Sequence, residues 1–266
     1  MIYELYTVKQ RQDYASKIEK WKGKVNESAL TMQREYKKHG FFSFLPSGSR
    51  NRELWCLKHG ESEINSVCRV LEVSRKGIKT KEGKEKVILN GIIADYTAKI
   101  PFFSWGEREE LRKNTVVQIE NAYVKRGNGL ATLYIGKNTS VIEKDIHFPS
   151  WTELMKPKKR AIEEIVSCES AFDVILEGEI LSVLQQGEEN RKKMVLDDGT
   201  GAVFLELREK EKEADISFGM SVRARGNVVA EESKNGYVLK LIAEKVKISD
   251  EKFMVNEMKN FLCRYM

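Results

Sequence analysis

Short apolar runs separated by polar turn residues fill the chain from Ile64 onward and predict a protein built mainly of β-strands. The first three runs are "INSVCRVLEVS", "KVILNGIIAD" and "KIPFFSW", and two more begin at Val116 and Leu130. β-Branched and apolar runs of this length, bounded by turn signals, are typical of barrels and sandwiches. The segment "GEREELRKN" after the third run predicts one short helix. Three strands, a helix and two strands are the layout of an OB-fold barrel.

The same succession of elements occurs a second time over residues 171–249. The strongest internal match pairs Asp95–Ala98 with Asp198–Gly201, each between the second and third strands of its group. Another match pairs Asn128-Gly129 with Asn235-Gly236. An aspartate in a hairpin caps the backbone of the turn, so these motifs locate the fold without indicating a function.

We therefore predict a mainly β protein of two tandem OB-fold barrels, with helical segments at both ends of the chain. The last 17 residues, 250–266, have the apolar spacing of an amphipathic helix, with the apolar side chains largely on one side: Phe253, Met254, Met258, Phe261 and Leu262. The predicted divisions are an N-terminal helical segment over 1–60, a first barrel over 61–145, a linker with a helix over 146–170, a second barrel over 171–249 and a C-terminal helix over 250–266.

Composition narrows the class of protein. The 266 residues are 41% hydrophobic and 32% charged. No run reaches the roughly 20 apolar residues that cross a bilayer, and the first residues lack the basic-then-apolar order of a secretory signal. We expect a soluble, cytoplasmic protein associated with the nucleoid. The four cysteines stand apart from one another, so no paired zinc knuckle can be drawn, and we expect neither metal nor cofactor.

The sequence does not indicate an enzyme. Its three histidines have no nucleophile pattern nearby, and there is no glycine-rich phosphate loop. Asp197 and Asp198 lie at a predicted hairpin turn, where capping of backbone amides accounts for them better than metal binding does. The pair Cys56 and His59 has no second pair at the spacing that zinc requires.

Charge is unevenly distributed along the chain. Residues 1–143 hold 26 lysines and arginines against 17 aspartates and glutamates, whereas residues 171–249 hold 12 against 15. The basic first half predicts a polyanionic partner, and the mildly acidic second half predicts a different one.

The strand "KIPFFSW" concentrates aromatic residues. Alternation gives it two faces, one with Lys99, Pro101, Phe103 and Trp105 and the other with Ile100, Phe102 and Ser104. The second set is the better core set, so Lys99, Phe103 and Trp105 are predicted on the outer surface, which OB-folds present to oligonucleotides. An exposed indole offers any base a stacking surface. The alternative, that Trp105 packs under the predicted helix, stays open.

Two loops near this strand carry basic side chains that can follow a phosphate backbone. The first loop and its flanks contribute Arg75, Lys76, Lys79 and Lys86, with Lys81 and Lys84 between them. The loop between the fourth and fifth strands contributes Tyr123, Lys125, Arg126 and Asn128. A run of charges can also be no more than a solvated surface.

The second barrel departs from this arrangement. Aligned on the turn motif, Glu206 and Arg208 take the positions of Phe103 and Trp105. Its weaker candidates for nucleic-acid contact are Arg208, Arg223, Arg225 and Tyr237. Weak DNA binding and a protein-docking role fit this set equally well.

The run from Arg69 to Gly136, with Trp-Gly-Glu after the third strand, resembles the single-stranded DNA-binding OB domains of archaeal replication protein A. The resemblance is good over residues 14–143 and weaker over 171–249. It implies that Trp105 stacks on a base. It also implies a second stacking aromatic near Gly127, where this chain has none, so that Tyr123 or the Arg126 guanidinium would replace it.

The resemblance implies a protein that coats single-stranded DNA in DNA replication, recombination and repair through aromatic stacking and phosphate contacts. Other replication or repair proteins would bind through the second barrel or the C-terminal helix. The alternatives are an OB-fold scaffold whose main ligands are proteins, and an RNA-binding OB protein, because stacking and phosphate contacts do not read the 2′-hydroxyl.

Overall fold

The computed structural model describes residues 51–79, 85–186, 191–208, 216–233 and 236–249. The C-terminal helix predicted over 250–266 lies outside the described residues, as does the predicted N-terminal helical segment up to residue 50. Lys81 and Lys84 of the first basic loop also lie outside them.

Five strands of the first half close into a barrel. They are β1 (Ile64–Lys79), β2 (Glu85–Ala94), β3 (Lys99–Trp105), β4 (Val116–Gly127) and β5 (Leu130–Ile135). They pair in the order β1-β2-β3-β5-β4, and a further pairing between β1 and β4 closes the barrel. The short strand β6 (Ser140–Glu143) pairs with β4 on the edge that faces away from β1.

A second sheet repeats this topology. After the two-residue strand β7 (Lys158–Lys159), its strands are β8 (Ala171–Gln186), β9 (Arg191–Asp197), β10 (Ala202–Leu207), β11 (Ser221–Ser233) and β12 (Gly236–Ser249). They pair in the order β8-β9-β10-β12-β11, and β11 also pairs with β8. The mainly β class predicted from the apolar pattern is confirmed, and both sheets are consistent with OB folds.

Short helical turns precede the first strand of each sheet and contribute apolar side chains to its core. A 3₁₀-helix over Leu54–Cys56 precedes β1, and Leu54 and Leu57 are buried in the first core. Helix α2 (Ile162–Cys168) precedes β8, and Ile162 and Ile165 are buried in the second core. Another short helix, α1 (Trp151–Leu154), lies earlier in the linker.

The two matching turn motifs hold these helical turns in place. Asp95 Oδ1 accepts hydrogen bonds from the backbone of Thr97 and Ala98, which confirms the predicted turn cap. Its Oδ2 accepts from the Leu54 backbone at 2.8 Å. Asp198 caps its own turn through Oδ1 in the same way, and its Oδ2 accepts from the Ile162 backbone at 2.7 Å. The repeat in the sequence therefore reflects a repeated contact between a hairpin and the helical turn before its sheet.

The helix predicted between the third and fourth strands is wrong. Residues 106–115 form successive turns, with Leu111 N donating to Arg108 O and Thr115 N to Arg112 O. Asn114 has a positive φ of 70°, outside the helical region. Leu111 is the one buried residue of this stretch, so a helix here would have little apolar face to bury, and a helix of this length is not stable by itself.

The linker packs against the first barrel instead of crossing freely to the second. Arg69 Nε donates to Pro149 O at 2.9 Å, and Trp151 Nε1 donates to Leu71 O at 3.0 Å. Leu71, Phe148 and Leu154 belong to a small apolar cluster of their own. The linker thereby covers one side of the first barrel.

The two barrels touch directly at the turn between β4 and β5. Gly129 O accepts a hydrogen bond from Ala230 N at 2.9 Å. Gly129 has a φ of 79°, and a Cβ atom there would come within 2.7 Å of the Val229 side chain. Trp55 packs against the cores of both barrels. Glycine is required at this turn for its backbone conformation and for the close approach of the second barrel.

Candidate nucleic-acid interface

Four aromatic side chains lie next to one another on the outer face of the first barrel, and we call them the aromatic row: Trp105, Phe103, Tyr134 and Tyr123. Phe103 is directly opposite Tyr134 across β3 and β5, and Tyr134 is directly opposite Tyr123 across β5 and β4. Residues directly opposite in neighbouring strands share one face of the sheet. The row is therefore continuous across three strands.

The rings of the row are in contact. Trp105 meets Phe103 edge-on with centroids 4.9 Å apart, and Phe103 lies 5.2 Å from Tyr134. Tyr134 and Tyr123 are stacked, with centroids 5.4 Å apart and planes inclined by 21°. Trp105 is 46% exposed, whereas Phe102, Ser104 and Ile100 on the inward face are buried. The inward and outward directions of Phe102, Phe103 and Trp105 agree with the alternation in the sequence.

Lys125 adds a positive charge to the row. Its Nζ lies 5.2 Å from the ring centroid of Tyr123 and 5.7 Å from that of Tyr134. The side chain is exposed. Aromatic rings beside an exposed cation are the combination that binds bases by stacking and phosphates by charge.

Tyr134 is the member of the row that sequence reasoning missed. Its place depends on the parallel pairing of β3 with β5, two strands separated in the chain by β4. The alternation of "LATLYIG" could have shown that Tyr134 shares a face with Thr132. It could not have shown that this face continues the face of Phe103.

The predicted basic residues of the first loop lie on an extension of the β1–β2 hairpin, which we call the basic arm: the paired segments 74–79 and 85–90. Arg75, Lys76, Lys79 and Lys86 are all exposed there. Lys76 is opposite Ile88, which in turn is opposite Trp105, so this lysine is on the same face as the row. Arg75 is engaged with Glu107 at 3.0 Å.

The prediction that Lys99 is exposed on the outer surface of the barrel is wrong. Its side chain is 5% exposed and forms an ion pair with Asp173, and its Nζ donates to Met155 O at 2.7 Å. The start of β3 does face outward, but the linker and β8 cover it. Alternation within one strand cannot show which other element covers its outer face.

Two predicted residues of the β4–β5 loop have different surroundings. The Arg126 guanidinium bonds to Glu169 at 2.9 Å and lies 5.0 Å from the ring centroid of Tyr237, so the structure places it between the barrels and not on the aromatic row. Its backbone nitrogen donates to His59 Nδ1 at 3.1 Å. Asn128 is exposed at the turn with a φ of 50°.

The candidates of the second barrel are engaged with other protein groups. Arg208 pairs with Glu244 at 3.2 Å, Arg223 pairs with Glu177, and Arg225 pairs with Asp173 at 2.6 Å. Tyr237 is 43% exposed and lies against Arg126, and burial together with nearby Glu169 raises the pKa of its hydroxyl. Each of these arginines is therefore engaged with a carboxylate, which Arg223 and Arg225 each share with a lysine.

On the second barrel, the positions that correspond to the aromatic row hold no aromatic side chains. By strand register, Glu206, Ile242 and Asn227 take the places of Phe103, Tyr134 and Tyr123. Lys240 next to them bonds to Glu206 at 3.0 Å and to Glu231 at 2.8 Å. Burial alone would lower the pKa of Lys240, but these two carboxylates outweigh it and raise the pKa.

A mostly buried ionic contact joins the two barrels. Asp173, at the start of β8, accepts from Arg225 of β11 and pairs with Lys99 of β3. Burial would raise the pKa of the Asp173 carboxyl, but the hydrogen bonds from Arg225 and Lys99 outweigh it and hold the pKa below its ordinary value. The carboxylate is thus kept ionised between one cation from each barrel.

Among the described residues, no group of three or more histidine, cysteine, aspartate or glutamate side chains is placed to hold a metal ion. His59, one half of the Cys56 and His59 pair, already accepts a hydrogen bond through Nδ1. No helix within the described ranges is long and apolar enough to span a bilayer.

Comparison with known proteins gives matches among solved structures. No protein-family model and no curated protein matches the chain. The crystal structure of fission yeast Pot1 with single-stranded DNA matches with a TM-score of 0.52 at 10% identity, covering 84% of this chain and 96% of that one. A replication protein A heterotrimer bound to single-stranded DNA has a TM-score of 0.35 at 15% identity, covering 80% of this chain and 55% of that one. An OB domain from Thermoplasma acidophilum has a TM-score of 0.34 at 24% identity, covering 38% of this chain and 92% of that one. The similarity to Pot1 agrees with the OB topology of the two sheets.

Proposed function

We propose that this chain is a single-stranded DNA-binding protein, similar in role to replication protein A, that coats exposed DNA strands in replication, recombination and repair. It acts by binding alone, without catalysis. The observation that carries the proposal is the aromatic row, four contiguous rings on an outer barrel face with Lys125 beside them. Trp105 is exposed and the other three rings are half-buried, so together they offer an apolar surface on which a flat ligand can stack.

The basic arm and the fold add support. Lys76 extends the outer face of the row with a cation, and further lysines continue along the arm. Pot1, whose fold is similar, was crystallised with single-stranded DNA. A duplex would not fit the proposed mode, because its bases are already stacked on one another and paired.

The second barrel has a different proposed role. Its corresponding face carries the Lys240 ion pairs in place of aromatic rings. We assign base stacking to the first barrel, and to the second a supporting contact with phosphate or with another protein.

The test is a titration of labelled oligo-dT, oligo-U and blunt duplex, each of 20 nucleotides or base pairs, at two salt concentrations. Oligo-dT is expected to bind more tightly than the duplex. Its affinity should fall with salt, with a slope of about −0.7 per phosphate contact, because neutralised phosphates release counterions. Equal affinity for the duplex would contradict the proposal. Absence of binding to any of the three at low salt would favour the protein scaffold, and preference for oligo-U would favour the RNA-binding alternative.

A further inference from the structure

Two exposed apolar side chains lie at neighbouring places on the second barrel, and we call them the apolar pair: Leu181 and Phe218. Leu181 is at the bulge of β8 and is 42% exposed, and Phe218 precedes β11 and is 74% exposed. The residues next to them are joined by the backbone, because Gly219 N donates to Ile180 O at 2.8 Å. Adjacent exposed apolar side chains, unlike single ones, mark a candidate contact surface.

The chain leaves the second barrel beside the apolar pair. Ser249, the last described residue of β12, is directly opposite Ser221 of β11, and Ser221 is directly opposite Glu179 of β8. Ser221 and Glu179 are three and two residues from the nearer member of the apolar pair. The following segment, residues 250–266, therefore starts within about 15 Å of both side chains, since a strand advances about 3.3 Å per residue.

Strand register identifies the same two positions on the first barrel as Leu71 and Lys113. Leu71 is the bulge residue of β1, as Leu181 is of β8. Lys113 precedes a residue with a positive φ whose nitrogen donates to β1, and Phe218 likewise precedes a positive-φ residue whose nitrogen donates to β8. The apolar pair therefore has a direct counterpart on the first barrel.

On the first barrel the chain that follows covers both positions. Trp151 Nε1 donates to Leu71 O at 3.0 Å, and Lys113 Nζ lies 4.9 Å from the ring centroid of Trp151. Leu71 is fully buried, in the apolar cluster that also contains Phe148. The first barrel thus shows this surface covered by the chain that leaves its own barrel.

The segment after the second barrel begins in step with the segment after the first. Glu143 of β6 and Ile248 of β12 hold equivalent positions by strand register. An aspartate follows each of them after two residues, and a phenylalanine after five. The phenylalanines are Phe148, which is buried against the first barrel, and Phe253. Phe253 is therefore placed to repeat the contact that Phe148 makes.

An unpaired polar atom lies on the same surface. Glu179 takes the place of Arg69, since each is opposite the last residue of the second strand of its barrel. Arg69 donates to two carbonyls of the linker, Phe148 O and Pro149 O. Glu179 Oε1 is buried and has no hydrogen-bond partner within the part of the chain that the structure describes. Buried polar atoms are normally paired, so a segment with N–H donors suits Glu179 as the linker carbonyls suit Arg69.

We propose that residues 250–266 pack against the second barrel and cover the apolar pair, with Phe253 in the position that Phe148 holds on the first barrel. The segment is then the counterpart of the linker. A protein that binds this segment would have to displace it from Leu181 and Phe218. The inference does not depend on the proposed function, because it uses no residue of the aromatic row or of the corresponding positions on the second barrel.

The test measures how fast a thiol at position 181 reacts with N-ethylmaleimide in the folded full chain. Leu181→Cys is combined with Cys263→Ser, which removes the native thiol of the segment, and labelling of the peptide is followed by mass spectrometry. Adding Phe253→Asp should speed labelling about tenfold, because a charge at the apolar contact releases the segment. Asn260→Asp adds the same charge at a polar position of the segment. It is the matched control and should leave the rate within about twofold.

Glu232→Cys in the same Cys263→Ser chain reports on the barrel itself. Glu232 is exposed near the other end of β11, eleven residues from Ser221. Phe253 is four residues from Ser249 and cannot reach that far at about 3.3 Å per residue. The labelling rate of Glu232→Cys should therefore be the same with and without Phe253→Asp.

Equal labelling of Leu181→Cys with and without Phe253→Asp would overturn the inference. Faster labelling of Glu232→Cys as well would show that the substitution opens the whole barrel, and would also overturn it. Protection of Leu181→Cys that increases with protein concentration, together with a dimer in light scattering, would show that a second copy supplies the segment and would overturn the assignment to the same chain. No oligonucleotide is present, so each of these outcomes leaves the proposed function to its own test.

Discussion

Trp105 and Phe102 stand three residues apart on one strand and have opposite surroundings. Trp105 is 46% exposed and touches Phe103 with its edge, whereas Phe102 is 1% exposed in the barrel core. Neighbouring side chains of a strand point to opposite faces. Replacing the outward ring should therefore affect ligand binding, and replacing the inward ring should affect the stability of the fold.

Replacing Trp105 with alanine is expected to weaken binding of oligo-dT by about 1–3 kcal/mol, because one stacking surface is lost. The melting temperature should stay close to that of the parent protein, and Trp105 fluorescence should be quenched when the parent protein binds oligo-dT. Anisotropy titration and thermal unfolding measure the two effects.

Phe102→Ala is the control on the inward face. It is expected to destabilise the fold by about 3–5 kcal/mol and to remove no ligand contact. A large loss of stability in Trp105→Ala, together with normal binding by the protein that remains folded, would contradict the role assigned to the aromatic row.

At the scale of elements, each barrel depends on a hairpin turn that also holds the helical turn preceding the barrel. Asp95 is 6% exposed, and its carboxylate accepts from three backbone nitrogens and from the Thr97 hydroxyl. Asp198 has the same set of donors in the second barrel. The turn and the helical segment are therefore one structural unit, although about 40 residues separate them in the chain.

Asp95→Ala is expected to lower the free energy of unfolding by about 3 kcal/mol, because several backbone donors lose a charged acceptor at a buried position. Asp198→Ala should have an effect of the same kind in the second barrel. Urea unfolding followed by fluorescence measures both.

Asp145→Ala is the matched control, because Asp145 is exposed in the linker. Its effect should stay within about 0.5 kcal/mol. Parent-like stability in Asp95→Ala would show that the turn motif does not hold the helical segment.

At the scale of the whole molecule, the barrels form one unit through contacts that bury charge as well as apolar surface. Lys99 of the first barrel and Arg225 of the second meet on Asp173. The backbone bond from Ala230 to Gly129 and the packing of Trp55 against both cores lie at the same junction. The Asp173 carboxylate is 13% exposed and has two cationic partners, so removing either partner or the carboxylate is costly.

The Asp173 contact predicts a pH-dependent part of the stability. Because the pKa of Asp173 is lower in the folded protein than in the unfolded chain, its contribution is complete above about pH 4 and is lost as the pH falls through the folded pKa. Asp173→Asn should lower the free energy of unfolding by about 3–5 kcal/mol at pH 7. The difference between parent and variant should shrink between pH 4 and pH 3.

Urea unfolding at pH 7, 5, 4 and 3 measures this difference, and comparing parent with variant removes the effect of other carboxylates. Asp145→Asn should behave like the parent protein at every pH. A difference that stays constant from pH 7 to pH 3 would show that Asp173 is not held ionised by Lys99 and Arg225.

The sequence by itself determined the features that depend on neighbouring residues in the chain. Alternation in "KIPFFSW" gave the inward Phe102 and the outward Trp105, because side chains of any strand alternate. The recurring aspartate motifs gave the two hairpin turns, because an aspartate side chain reaches the backbone of its own turn. Spacing of the apolar runs gave the mainly β class.

Only the tertiary structure decided which side chains meet across strands and which outer faces are covered. Tyr134 joins Phe103 because β5 pairs with β3, and Lys99 is buried because β8 and the linker cover the start of β3. Arg126 turns to Glu169 because the second barrel packs against the β4–β5 turn. The helix predicted over residues 106–114 failed for a related reason, since a polar segment with one buried leucine follows the turns that the barrel end imposes. These outcomes depend on contacts between residues far apart in the chain, which local patterns do not specify.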